Sequence, residues 1–297
     1  MDIFALVRDR FPLLSLEANF SFRKHTTIGC GGTAAVAAYP ANAKEAVELL
    51  GFLERAGIPY YILGAGANVL PPDGTYEGVI VKFTCLNDLY LDGDRLIAGA
   101  GVTGGKLMNL VRNAAIRDFA PLAGIPMTVG GGTAMNAGVR EGHFSDLIIE
   151  VEGVEAGKLR RFSLKECNFR EKESIFLHGI AVTKVVFRAE KGQKEQVEEE
   201  IRAFLARRVK LPKGRSMGCT FVNPLNDSAG RLIDACGLKG LRIGGARVSE
   251  IHANFIINEG GTSEDVGTLA QLVQGRVFER TGILLREEIR RIPPSGR

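Results

Sequence analysis

The chain has 297 residues, 45% of them hydrophobic and 24% charged, which is the composition of a folded protein with room for two or three domains. Its 38 basic and 34 acidic residues leave a net charge of only +4, which argues against a nucleic-acid-binding surface. Five cysteines without a Cys-x-x-Cys pair and four histidines without ligand spacing argue against a disulfide framework and a metal site. The sequence contains neither a signal-peptide pattern nor an apolar run of membrane-spanning length, so we expect a cytoplasmic protein.

Short apolar runs alternate with amphipathic stretches, and this pattern predicts an α+β fold. The predicted elements are, in chain order, a helix over 41–57, strands over 60–63, 79–83 and 95–98, a helix over 106–117, strands over 147–151, 159–162 and 181–188, helices over 191–209 and 229–236, a strand over 254–257, a helix over 263–280 and a strand-like segment over 282–292. The charged helix over 191–209 is expected to connect a sheet-rich unit to a further unit that opens after Pro212.

Three glycine-rich runs are candidates for ligand binding. Residues 63–70 follow a strand, as an anion-binding loop does, although a tight turn without a ligand is the alternative. Residues 99–104 read Gly-x-Gly-x-x-Gly but lack the later acidic residue of a dinucleotide site, so we interpret them as a tight helix entry. The nearly uncharged residues 123–138 indicate either a contact with a flat or anionic ligand or close packing on another backbone.

The order of short motifs resembles that of UDP-N-acetylenolpyruvoylglucosamine reductases of the compact, type II-like kind. The matching motifs lie at residues 25–27, 31–34, 63–68, 98–102, 122–126, 128–131, 135–138, 174–176, 221–224, 232–235, 237–240, 252–255 and 288–290. The resemblance implies a three-domain flavoprotein with an FAD-binding PCMH-type (vanillyl-alcohol-oxidase) fold. Its domains would be an FAD-binding subdomain over 1–84 joined by a C-terminal strand over 282–297, a second FAD-binding subdomain over 85–208, and a UDP-sugar domain over 209–281.

The resemblance also implies an activity. NADPH would reduce FAD, and the flavin would pass hydride to the enolpyruvyl group of UDP-N-acetylglucosamine enolpyruvate, which yields UDP-N-acetylmuramate for peptidoglycan synthesis, cell-wall biogenesis, cell shape and division. The partners are then a UDP-sugar and NADPH, and we expect a monomer that binds neither nucleic acid nor membrane. Two alternatives remain open: a divergent flavin oxidoreductase with another substrate, and a flavin- or nucleotide-binding module without catalysis.

Three catalytic residues follow from the motif matches. Cys219 stands at the place of the family's proton-donating serine, and an ordinary thiol is mostly protonated at neutral pH. Glu288 matches the family glutamate, and Lys172 stands where the family has an arginine. Lysine keeps the charge but loses the planar fork, so Arg170, two residues earlier and on the same face of a strand, is the alternative. For Cys219 the alternative is a buried apolar cysteine.

The resemblance also assigns binding residues. The FAD-binding candidates are Gly64, Ala65, Gly66, Ala67, Asn68, Gly124, Ile125, Pro126, Thr128, Gly130, Gly131, Asn136 and Ala137. The candidates for the UDP-sugar are Asn223, Arg231, Lys239, Ser249, His252 and Asn254. Arginine and lysine suit a diphosphate, whereas His252 serves equally well as a structural hydrogen-bonding residue.

Overall fold

The structure is a computed structural model, and it describes residues 2–293. Residues 294–297, which end the predicted C-terminal strand segment, and Met1 lie outside the described residues.

The described chain contains both helices and strands. The helices are α1 (Ile3–Arg10), α2 (Phe22–His25), α3 (Ala43–Arg55), α4 (Gly104–Asn113), α5 (Val129–Ala134), α6 (Lys194–Val209), α7 (Ala229–Ala235) and α8 (Ser263–Thr281). The strands are β1 (Ser15–Ser21), β2 (Thr33–Tyr39), β3 (Tyr60–Ile62), β4 (Val69–Leu70), β5 (Thr75–Val81), β6 (Leu89–Asp92), β7 (Arg95–Gly99), β8 (Gly138–Val139), β9 (Gly142–His143), β10 (Ile148–Glu155), β11 (Lys158–Ser163), β12 (Ala181–Arg188), β13 (Arg242–Ile243), β14 (Ala246–Val248), β15 (Ile256–Asn258) and β16 (Arg290–Arg291). Short 3₁₀ helices occupy Ala120–Leu122, Phe144–Asp146 and Ile175–Leu177.

The strands form several sheets. A four-stranded sheet has the order β1-β2-β5-β3, a five-stranded sheet β11-β10-β12-β7-β6, and a three-stranded sheet β13-β14-β15. The five-stranded and three-stranded sheets are antiparallel throughout. β3 pairs with β5 in parallel, and β16 pairs with β4 in parallel, while β8 and β9 form a small antiparallel hairpin.

The chain divides into two compact units. The first unit comprises Met1–Glu17, Val36–Ala65 and Gly78–Lys210, and the second comprises Ala18–Ala35, Gly66–Glu77 and Leu211–Arg297. Within residues 2–293, no helix is both long and apolar enough to span a bilayer.

The first unit packs apolar side chains of its antiparallel sheet against neighbouring segments. Phe187 of β12 is fully buried, and its ring lies edge-on to Phe119 at 5.7 Å and to Phe144 at 5.5 Å between centroids. Helix α3 buries Leu49 and Leu53, one turn apart on the same face. Phe144 also packs against the third glycine-rich run, since a Cβ on Gly132 would lie 2.7 Å from its ring.

The second unit has its core around helix α8. Apolar residues that recur at helical spacing, including Val266, Leu269, Val273 and Val277, are buried there. A capping box begins the helix, and Gly282, with a φ of 71°, ends it. The helix therefore gives the unit a well-defined apolar wall.

The structure confirms most of the predicted elements and corrects several. The predicted helix over 106–117 ends at Asn113, because Ala115 adopts a φ of 52° that no helix continues through. The strand predicted over 254–257 lies at Ile256–Asn258. The strand-like interpretation of 282–292 was wrong for most of that segment, since strand pairing there is confined to Arg290–Arg291, with an isolated bridge at Glu287.

Candidate active site

The segment that carries Cys219 is held in place by backbone pairing in the second unit. Cys219 is half-buried and forms an isolated antiparallel bridge with Phe255. The next residue, Thr220, donates its N–H to the Asn254 carbonyl oxygen at 2.7 Å. The Asn254 side chain accepts from the Phe221 N–H at 2.9 Å and donates to the Phe221 carbonyl oxygen at 2.7 Å. The segment after Cys219 is therefore fixed by three hydrogen bonds to Asn254.

Glu288 lies directly beside this segment. Its N–H donates to the Thr220 carbonyl oxygen at 2.8 Å, so the backbone positions next to Cys219 and at Glu288 are paired. The neighbouring Glu287 is committed elsewhere, because its carboxylate forms a two-point ion pair with Arg291 at 2.7 and 3.0 Å. The structure thus brings two of the predicted catalytic residues together within the second unit.

Lys172 belongs to the first unit and lies in a turn. Arg170 and Glu173 exchange backbone hydrogen bonds of 2.9 and 3.3 Å, which leaves Glu171 and Lys172 as the two central residues of a tight turn. The argument that Arg170 shares a strand face with Lys172 was therefore wrong, because residues of a tight turn do not alternate as those of a strand do. Lys172 has a φ of 58°, a left-handed conformation that costs a non-glycine residue of order 1 kcal/mol.

Polar contacts anchor this turn to the third glycine-rich run. Asn136 Nδ2 donates to the Arg170 carbonyl oxygen at 3.1 Å, and Lys172 Nζ donates to the Gly138 carbonyl oxygen at 3.1 Å. Asn136 is buried, and its Oδ1 accepts from the Ser145 N–H at 3.0 Å. The predicted FAD-binding residue Asn136 therefore also holds the Lys172 turn against residues 136–138.

The first and third glycine-rich runs meet in the first unit. A Cβ on Gly64 would lie 2.6 Å from Thr128 Oγ1, so the close approach of the two segments requires glycine there. Thr128 also caps helix α5, since its Oγ1 accepts from the Gly131 N–H at 3.3 Å. Residues 128–131 are thereby fixed beside the start of the first loop.

The Gly-x-Gly-x-x-Gly motif packs against backbone rather than forming a dinucleotide loop. A Cβ on Gly101 would lie 1.9 Å from the Phe83 carbonyl oxygen, and Thr103 caps helix α4 through its side chain. The interpretation as a tight helix entry is confirmed. The Ala100 carbonyl oxygen accepts from the Gly130 N–H at 2.8 Å, so the third run also packs closely on this backbone.

The first glycine-rich loop presents unused backbone donors. Among residues 2–293, the N–H groups of Ala65, Gly66 and Ala67 have no acceptor within the protein. Gly66 adopts a φ of 66°, and successive N–H groups around such a residue converge on one side of the backbone. This arrangement suits an anion such as a pyrophosphate, and the residues present therefore fit FAD.

A buried lysine supports the same loop from behind. Lys82 is 8% exposed, and its Nζ donates to the Gly64 carbonyl oxygen at 3.0 Å. Burial lowers the pKa of Lys82, and the Glu17 carboxylate opposes that shift. The same Glu17 carboxylate accepts a hydrogen bond of 2.5 Å from the Tyr39 hydroxyl, and burial together with this bond raises the pKa of Tyr39. Sequence reasoning missed this lysine as a site residue, although a lysine inside the apolar run 79–83 was a visible signal.

Several predicted UDP-sugar residues are engaged with helix α7 in the second unit. Asn223 Oδ1 accepts from the Ala229 N–H at 3.0 Å, near the start of the helix. Arg231 forms a two-point ion pair with Asp227, and Lys239 contacts Asp234 at 2.7 Å. Arg231 is exposed and Lys239 half-buried, so both cations border solvent.

The remaining predicted UDP-sugar residues form a compact hydrogen-bonded turn. Ser249 is 3% exposed, and its Oγ accepts from the Ile251 N–H at 3.1 Å. His252 Nδ1 accepts from the Asn254 N–H at 3.3 Å. Burial, and then the charge of Lys239, lower the pKa of His252, which favours its neutral ring. These contacts suit the alternative interpretation of His252 as a structural hydrogen-bonding residue.

Comparison with known proteins matches both parts of the chain. A profile described as the C-terminal domain of UDP-N-acetylenolpyruvoylglucosamine reductase matches residues 208–292, and one described as an FAD binding domain matches residues 34–163. The reductase of that name from Geobacter metallireducens is 36% identical over 271 residues, which cover 90% of each chain. The chain belongs to the UDP-N-acetylenolpyruvoylglucosamine reductase family.

Further relatives agree with this assignment. The reductase from Methylorubrum extorquens strain PA1 is 36% identical over 283 residues, covering 93% of this chain and 91% of its own. A crystal structure of the reductase from Thermus caldophilus superposes with a TM-score of 0.81 at 32% identity, covering 94% of this chain and 99% of that one. The predicted reductase resemblance and the predicted FAD-binding α+β fold are confirmed.

Proposed function

We propose that this protein is the NADPH-dependent FAD enzyme that reduces the enolpyruvyl group of UDP-N-acetylglucosamine enolpyruvate to UDP-N-acetylmuramate, a step of peptidoglycan precursor synthesis. Membership of the reductase family over 90% of the chain supports the activity. The structural observation that supports it is the backbone pairing of Glu288 with Thr220, the residue that directly follows the predicted proton donor Cys219.

Bound FAD would supply the redox chemistry, the transfer of hydride from NADPH to the enolpyruvyl double bond. The free N–H groups of the first glycine-rich loop are positioned to bind its pyrophosphate, and residues 124–137 provide uncharged backbone for the rest of the cofactor. Lys82 holds the Gly64 carbonyl oxygen and leaves the N–H groups that follow it available.

The side chains of the chain itself manage the proton and the substrate charge. Cys219 donates the proton to the carbon next to the one that receives hydride, since a thiol is a stronger acid than a serine hydroxyl. The Lys172 ammonium stabilises the negative charge that develops on the enolpyruvyl group, and Glu288 does so as the neutral acid, by donating a hydrogen bond. Asn223, Arg231, Lys239, Ser249, His252 and Asn254 form or shape the UDP-sugar site, with the two cations binding the diphosphate.

The domain assignment forms part of the proposal. Residues 1–84 with 282–297 and residues 85–208 form the two FAD-binding subdomains, and residues 209–281 bind the UDP-sugar. The parallel pairing of β16 with β4 supports the return of the C-terminal segment to the first glycine-rich loop. The enzyme works as a monomer in the cytoplasm.

An anaerobic titration tests the proposal. The purified protein should show the absorption spectrum of bound flavin, NADPH should bleach it, and the enolpyruvyl substrate should then restore it. A protein that cannot bind FAD contradicts the proposal. Bleaching by NADPH without reoxidation by the enolpyruvyl substrate would instead identify a divergent flavin oxidoreductase, an outcome to which the replacement of the family arginine by Lys172 gives weight.

A further inference from the structure

The first glycine-rich loop is physically linked to the Glu288 segment. Residues 66–70 of the loop and Glu288 belong to the second unit, where Asn68 Nδ2 donates to the Glu288 carbonyl oxygen at 3.0 Å. The Arg290 N–H donates in turn to the Asn68 carbonyl oxygen at 2.9 Å. The backbone at Glu288 is therefore fixed relative to the loop that is expected to hold FAD.

Thr27 forms a corresponding link to the Cys219 segment. Its N–H donates to the Gly66 carbonyl oxygen at 3.0 Å, and its Oγ1 lies 2.6 Å from the Ser216 carbonyl oxygen. The hydroxyl also lies 3.4 Å from the Gly66 carbonyl oxygen. Because a hydroxyl carries one hydrogen, the shorter distance selects the Ser216 carbonyl as its acceptor. Thr27 thus joins the two segments through one backbone donor and one side-chain donor.

The Thr27 link lies on the N-terminal side of Cys219. On the C-terminal side, Thr220 is already paired with Asn254. On the N-terminal side the nearest backbone pairing is at Arg215, whose carbonyl oxygen accepts from the Asn258 N–H at 2.8 Å. Between that pairing and Cys219 stands Gly218, which has a φ of 76° and no described atom within 4 Å of the place a Cβ would take. Glycine in open space can change its backbone angles readily. A hydrogen bond at Ser216 therefore limits the movement that Gly218 would otherwise permit.

We propose that Thr27 is a positioning residue for the proton donor. Its hydroxyl holds the segment that begins at Ser216, and its N–H holds Gly66, so that Cys219 keeps one distance from the cofactor loop. The inference rests on the proposed function, in which Cys219 donates the proton. The side chain itself contacts neither Cys219 nor Glu288 among the described hydrogen bonds, and it acts through the backbone.

Three variants of the FAD-loaded enzyme test this role. Thr27→Val removes the hydroxyl at nearly constant shape, Thr27→Ser keeps it, and Thr75→Val is the matched control, an exposed threonine of the same unit whose hydroxyl contacts only that of Thr33 at 3.5 Å among the described residues. We expect Thr27→Val to leave flavin reduction by NADPH unchanged. Reoxidation by the enolpyruvyl substrate should slow about tenfold, between the roughly fivefold effect of one hydrogen bond and the roughly 100-fold effect of a 1 Å misplacement. Thr27→Ser should restore the wild-type rate.

Alkylation of the Cys219 thiol provides a readout that does not depend on turnover. In a Cys85→Ser, Cys236→Ser background the remaining cysteines besides Cys219 are buried, so the fast-reacting thiol is Cys219. Thr27→Val should change the alkylation rate of Cys219 severalfold. If valine does not fit and the variant fails to fold, Thr27→Ala should show the same change.

The outcomes separate this inference from the proposed function. Unchanged rates of flavin reoxidation and of Cys219 alkylation in Thr27→Val overturn the positioning role. An equal slowing of flavin reduction and reoxidation in Thr27→Val also overturns it. So does a slowing of reoxidation in Thr75→Val as large as that in Thr27→Val. A wild-type enzyme that reduces flavin but does not respond to the enolpyruvyl substrate contradicts the proposed function. The alkylation comparison would still decide whether Thr27 positions Cys219.

Discussion

Replacing Lys82 by methionine should weaken FAD binding without unfolding the protein. The ammonium donates to the Gly64 carbonyl oxygen at 3.0 Å, next to the N–H groups predicted to bind the pyrophosphate. A hydrogen bond from a charged donor contributes about 1.5–3 kcal/mol. Gly64 is half-buried, so water can replace part of that contact, and we expect a loss near the lower figure. A loss of about 1.5 kcal/mol raises the Kd for FAD roughly tenfold.

The assay is a titration of deflavinated protein with FAD, followed by flavin fluorescence, beside a denaturant unfolding curve. Methionine has a similar length and no charge to desolvate, so the free energy of unfolding should change by less than about 1.5 kcal/mol. Lys191→Met is the control, because Lys191 also donates to a backbone carbonyl, that of Ala114 at 2.8 Å. An unchanged Kd for FAD in Lys82→Met would refute the reasoning, and so would an equal rise of that Kd in Lys191→Met.

The same lysine predicts a pH dependence of stability. Burial lowers the pKa of Lys82 below its ordinary 10.5, so between the folded and unfolded pKa values the unfolded chain binds more protons. Stability then rises with pH across that interval, up to about 10.5. Denaturant unfolding at increasing alkaline pH should show this rise in the wild type relative to Lys82→Met, and parallel curves would contradict it.

Three further predictions follow from the site. Cys219→Ser should keep substantial turnover while Cys219→Ala reduces flavin but fails to be reoxidised by substrate, and full turnover of the alanine variant would disprove the proton-donor assignment. Lys172→Ala should lower kcat about 100-fold through lost electrostatic stabilisation, whereas Arg170→Ala should not. Steady-state kinetics of the two variants check this, and a loss of kcat in Arg170→Ala alone would assign the role to Arg170. His252 has a pKa below 6.5, so the unfolded chain takes up its proton first and stability falls as pH drops below 6.5. Unfolding curves of His252→Gln should lack that contribution.

The sequence predicted the regular elements well because their patterns are local. The helix near 263–280 has apolar residues at helical spacing and a glycine at its end, and the structure shows Ser263–Thr281. The early elements α1, β1 and β2 were missed, and the segment over 282–292 was interpreted as a strand. Most of 282–292 is held by single bridges and side-chain contacts, such as the bond from Gln274 Nε2 to the Leu285 carbonyl oxygen, which no periodicity reveals.

For the site, motif order identified the segments but not their connections. The pairing of Glu288 with Thr220 joins residues far apart in the sequence, and the turn at Lys172 contradicts the strand inferred from two-residue spacing. Thr27 lay within a recognised motif, yet its hydrogen bond to Ser216 spans 189 positions and depends on tertiary structure alone. Local sequence patterns therefore predict the secondary structure of a segment, whereas its hydrogen-bond partners far along the chain become known only from the tertiary structure.

The parallel pairing of β16 with β4 has a kinetic consequence. The bond from Asn68 to Glu288 closes a stretch of 220 residues, and contacts at such separation form slowly because the chain entropy is lost before they contribute. The glycine-rich runs of the first unit can meet earlier, through shorter closures. During refolding, the flavin-binding surface should therefore form before Glu288 reaches its place in the site. The fluorescence of added FAD should change before turnover recovers.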